Sequence, residues 1–167
     1  MRERFGPFDA MDDVTIARAI HVLSVVHWFG GVAFVTAVVL PAIGRLAAPA
    51  DRLPLFETIE RRFASQVRIS VPLAGLSGFY MVERLDLWPR LVHPTGWWLV
   101  AMIAVWAMFM AALFVLEPFV LHEWFRRRAA IDPVSILRLI QRVHWMAVVA
   151  GFAVAGAAVL GTHGLLG

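Results

Sequence analysis

The chain of 167 residues has no cysteine, which excludes disulfides, thiolate zinc sites, iron–sulfur clusters and covalently attached haem. It has no lysine either. All fifteen basic residues are arginine, so Schiff-base chemistry and lysine-dependent phosphate loops are excluded too. Charge is scarce, at 16% of residues against about 25% in soluble domains, while 60% are apolar. No Ser–His–Asp spacing, metal-hydrolase helix motif or glycine-rich phosphate loop is present, so nothing indicates a hydrolase or transferase. A membrane oxidoreductase is the enzyme class left open.

What the chain does have is four long apolar blocks. They predict an all-α integral membrane protein, a four-helix transmembrane bundle forming one domain over 1–167. The expected spans are approximately 16–41, 63–82, 96–118 and 137–162. The first contains an uncharged run from Ala19 to Gly44 and follows an acidic rather than a basic segment, so no cleaved signal peptide is expected. The second is the least apolar, with Arg68 and Pro72 inside it. A helix is still expected there, because hydrocarbon tolerates few other backbone forms. Asp12, Asp13 and Asp51 are candidate N-caps for the first two helices, and Asp132-Pro133 for the last.

Ten of the fifteen arginines fall on the side of the first and third loops and five on the side of the termini. The positive-inside rule then predicts a bacterial inner (cytoplasmic) membrane protein with both termini periplasmic. In this light the pI of about 10.9 reflects topology, and no nucleic acid partner is expected. Membrane lipid is the expected partner, with a quinone or a redox protein as further candidates. Gly151, Ala155, Gly156 and Gly161 make the fourth helix a close-packing surface, within the bundle or in a homo-oligomer.

Six histidines are the candidate chemistry. At 1.5 Å per residue, His21 lies about 3–5 Å inside the outer end of the first span and His27 about 12 Å in, near mid-depth. His93 and His163 belong to the outer surface, and His122 and His144, at the facing ends of consecutive helices on the cytoplasmic side, are a candidate pair for an inner haem or metal site or part of an interfacial belt. An ionisable group as deep as His27 needs a partner. It is either an axial haem or metal ligand, with Gly30 and Gly31 leaving room for a macrocycle, or a core histidine bonded to Ser24 or to a neighbouring helix. Rotation by 600° places His21 about 120° from His27 around the helix, so the two do not share one face. An outer metal site would draw on His21, His27, His93 and His163. Met102, expected level with His27, would complete a His/Met haem or Cu(I) pair, and Arg68 could hold a propionate or pair with Glu117. For each, packing, snorkelling or interfacial solvation is the plainer alternative.

The first span, "ARAIHVLSVVHWFGGVAFVTAVVLPAIGR", resembles the opening helix of the CopD-like copper-resistance membrane domains and the related four-helix HemJ group. "RRFASQVRISVPLAGLSGFYMV" and "GWWLVAMIAVWAMFM" are similar to their second and third helices. The resemblance implies a four-helix membrane bundle handling haem b, porphyrin or copper, with His21 at the position of the family histidine. HemJ-like proteins are linked to protoporphyrinogen oxidation with bound haem. The leading expectation is therefore a b-type haem protein in electron transfer or a quinone- or porphyrin-linked step. The alternatives are a CopD-like copper transport or tolerance protein, with Met102, Met108 and Met110 lining the path, and a cofactor-free membrane subunit or assembly factor.

Overall fold

The computed structural model describes the backbone of residues 7–121, 124, 127–128 and 130–165, and their side chains except those of 7–12 and 117–121. His122, Arg126 and the Glu117 side chain lie outside this set, so the expected His122–His144 and Arg68–Glu117 pairs do as well. Among the described residues the chain is all-helical. The helices are α1 (Pro7–Phe34), α2 (Leu40–Leu46), α3 (Arg52–Arg84), α4 (Trp88–Val92), α5 (Trp97–Ala111) and α6 (Pro133–Thr162). A π-helical turn, Val35–Val39, joins α1 to α2, and a longer one, Ala112–Leu121, extends α5. Both π segments accompany a proline. Pro41 and Pro118 lack an N–H, and the backbone widens locally, with Leu40 N–H bonding back to Val35 O.

Three stretches are long and apolar enough to cross a membrane: Asp13–Leu46, Pro94–Leu116 and Pro133–Thr162. The 33-residue α3 is as long but less apolar. Ser70 and Ser77 are buried with Val67, Val71 and Ala74 on its packed face, whereas Ser65, Gln66, Arg68, Ile69, Leu73 and Leu76 are exposed.

Two helix starts differ from expectation. α1 begins at Pro7, so Asp12 and Asp13 lie within the helix instead of capping it. Asp51 occupies the N-cap position of α3 without a side-chain capping bond. Asp132 does cap α6, accepting the Ser135 N–H at 3.0 Å. That side-chain and backbone bonding to Ser135 holds its carboxyl below the usual carboxylate range. The outer connection contains the unanticipated one-turn helix α4. α3 ends in a Schellman turn through Asp86 (φ 50°), and α6 ends likewise through Gly164 (φ 73°).

Neighbouring long helices run antiparallel and are locked by rings seated against glycines. A Cβ on Gly31 of α1 would overlap the Phe63 ring from α3, and one on Gly75 of α3 would overlap Trp106 from α5. Gly161 of α6 receives Trp98 from α5, and Gly151 of α6 receives Phe29 from α1. These four contacts link α1–α3, α3–α5, α5–α6 and α6–α1. Because lipid tails are as apolar as leucine, close packing rather than hydrophobic burial must hold such helices together, and missing side chains permit it. Apolar clusters stack between the locks, centred on Phe56 and Leu137, on Trp28 and Val71, and on Trp98 and Val82.

Replacing Gly75 with leucine should therefore displace Trp106 and lower stability by about 1–3 kcal/mol. Gly156, which has open space around it, should accept leucine with little change. Unfolding of the two variants in detergent checks this; equal stability would contradict the locking role.

Candidate functional site

The α1–α3 seam carries the polar chemistry. At the start of the seam, Asp13 Oδ2 accepts from Tyr80 Oη and Arg84 Nη2, each at 2.8 Å. Next comes His21, half-buried, with Nδ1 2.7 Å from Ala74 O and 3.5 Å from Ser77 Oγ. Its ring lies over Gly78, where a Cβ would come within 3.2 Å of Cε1. Ser24 is buried one turn further on, followed by His27, whose Nδ1 is 3.2 Å from Ser70 Oγ. His27 thus bonds a neighbouring helix, and its ring is exposed at the edge of the seam.

Partner chemistry fixes which ring nitrogen carries the proton. A carbonyl only accepts, so the neutral His21 ring donates Nδ1–H to Ala74 O and keeps its Nε2 lone pair free. His144 does the same toward Ile140 O at 2.9 Å, and His163 toward Val159 O at 2.8 Å. An Nδ1–H engaged by a carbonyl with Nε2 free is the usual second-shell arrangement of a metal- or haem-ligating histidine. His93 is the opposite case. Its Nδ1 accepts from the Thr95 backbone N–H at 3.4 Å and sits 2.8 Å from Thr95 Oγ1, so its lone pair caps a turn.

The expected groupings separate on the helices. His144 sits toward the loop end of α6 with its ring edge-on to Phe56, centroids 5.9 Å apart, and His163 is exposed at the far end of the same helix. Met102 packs with Val82, Trp98 and Leu99. The α5 residue level with His27 is instead Phe109, which packs against Trp28 at 4.9 Å. Met102 lies about 10 Å from that level toward the outer end, so no His27–Met102 pair forms. Arg68 is exposed on α3. Gly31, expected to leave room for a macrocycle, is filled by Phe63, and only Gly30 is open. Among the described residues no three of His, Asp or Glu gather as a metal-binding group. The Trp28 Nε1–H is buried with no acceptor.

Ser70, Ser77, Gly78 and the Ala74 carbonyl are seam partners that the histidine inventory left out. Their signal was present in the seven-residue spacing of Ser70 and Ser77, which puts both on one face of α3. No family model, curated protein or solved structure matches the chain.

Nitrogen NMR of ¹⁵N-histidine-labelled protein above the imidazole pKa should show His21, His144 and His163 as Nδ1–H tautomers and His93 as Nε2–H. An Nε2–H tautomer at His21 would contradict the seam geometry.

Proposed function

We propose that the chain is a four-span integral membrane protein, N-out and C-out in the bacterial inner membrane, whose α1–α3 histidines bind haem b for electron transfer or a quinone- or porphyrin-linked redox step. Support for a fourth span comes from Ser70 and Ser77, which are buried against α1, and from Ile69, Leu73 and Leu76, which are exposed. Residues 63–82 also match a hydrocarbon core of about 30 Å. Support for the orientation comes from the arginines at the loop ends.

The observation carrying the cofactor reading is the His21–Ala74 bond, which presents a free Nε2 from a half-buried imidazole with a fixed ring plane. The donor set fits haem b, which needs imidazole and no thiolate. His21 and His27 would each offer it an imidazole, from different faces of α1. Bound haem would supply one-electron chemistry at a potential set by ligation and burial. The chain's own contribution is to orient the two rings through Ala74 and Ser70 and to keep water from the seam with Trp28, Phe63 and Trp106. Because rings fill the glycine notches between the helices, the outer edge of the seam, where His27 and Gly30 are exposed, is the place left for a macrocycle.

The absorption spectrum of protein purified from haem-replete cells tests this. A Soret band that sharpens on dithionite reduction, with α and β bands, is expected. His21→Ala should lose it, and His93→Ala should keep it. A featureless wild-type spectrum, or full retention in His21→Ala, His27→Ala and the double variant, would refute the haem reading, and metal analysis would then decide between copper and a cofactor-free subunit.

A further inference from the structure

On α3 the residues Thr58, Arg62, Gln66 and Ser70 recur every four positions and form one polar ridge. Against the first three α1 sets an apolar wall of Phe34, Val35 and Val39, and between them runs an open groove of about 360 Å³. Phe34 is 59% exposed along it. The groove itself is apolar, with Ile59 and Phe63 of α3 facing the same wall, and Arg62 and Gln66 are exposed at its rim.

Depth decides what such a groove accepts. Arg62 lies eight residues, about 12 Å along α3, from Ser70 and hence from His27 near mid-depth. Helical side chains lean toward their own N-terminus, which carries the Arg62 guanidinium toward the loop-side headgroup boundary about 15 Å from the midplane. Gln66 follows one turn deeper, where an ester carbonyl lies below a phosphate, and Phe34 and Phe63 continue the apolar surface toward mid-depth.

Resting on the proposal that α3 spans the membrane, we propose that this groove holds one anionic phospholipid of the cytoplasmic leaflet. Its phosphate pairs with Arg62, an ester carbonyl accepts from the Gln66 amide, and an acyl chain lies along Phe34 and Phe63. The lipid is a fixed ligand, and its chain end reaches the depth of the exposed His27 ring.

Native mass spectrometry of the full chain, released from mixed micelles of equal phosphatidylglycerol and phosphatidylcholine, tests the assignment. The wild type should retain one phosphatidylglycerol in preference, and Arg62→Gln should lower the phosphatidylglycerol-to-phosphatidylcholine ratio about fivefold. Val39→Trp, filling the groove, should lower retention of both lipids. Arg45→Gln, at the same end but outside the groove, should change neither. Unaltered retention in Arg62→Gln and Val39→Trp, or an equal loss in Arg45→Gln, would overturn the site and leave only general surface attraction. Melting curves verify that each variant is folded. Retained lipid is counted by mass whether or not haem is bound, so failure here is separable from failure of the haem reading.

Discussion

The structure depends on the contact between α1 and α3. By composition α3 is the helix least suited to hydrocarbon, since it carries three serines, a glutamine, a proline and an arginine within residues 63–82. What makes it compatible is pairing: Ser70 and Ser77 face the histidines of α1, the Ala74 carbonyl receives His21, and Ile69 and Leu76 face outward. An unpaired polar group in lipid costs several kcal/mol; the histidines find their partners on α3, while Ser77 also donates to Leu73 O at 2.6 Å within its own helix. The glycine locks then hold α5 and α6 to this pair, with Trp106 both seated on Gly75 and donating its indole N–H to Val71 O at 2.9 Å.

In the proposed reading one seam serves as both binding site and structural interface. His21 is oriented by a backbone carbonyl of the neighbouring helix, so its free nitrogen is positioned only while the two helices are paired. His27, bonded to a hydroxyl at the seam edge, offers a second imidazole about 9 Å along the axis. The two rings differ in surroundings: His21 lies over Gly78, and His27 faces outward beside the open Gly30. One helix pair therefore presents two distinct ligand environments.

Much of the fold was legible in the sequence because apolar runs and the Asp132-Pro133 start are local signals. The caps at Asp12, Asp13 and Asp51 were misjudged for a local reason too. The chain is already helical from Pro7 onward, so Asp13 lies inside α1 and bonds Tyr80 and Arg84 across the seam. The tertiary pairings were not legible. Nothing near Gly31 announces that Phe63 will fill it, and Met102 seemed level with His27 only because helix stagger is invisible in one dimension. The order of the histidines along the helices was readable, but the tautomers depended on carbonyls and hydroxyls whose proximity only the folded chain defines. Ordinary hydropathy underrates α3 because it averages over inward and outward faces alike.

Whether α3 crosses the membrane is the point on which the rest turns, and the cysteine-free chain allows a direct measurement. Ala50, before α3, and Val92, beyond it, are both exposed. Each is replaced singly with cysteine and treated with a membrane-impermeant maleimide in right-side-out vesicles. The account predicts labelling of Val92→Cys in intact vesicles and of Ala50→Cys only after permeabilisation. Labelling of both from the same side would place the two ends of α3 together and contradict the four-span seam.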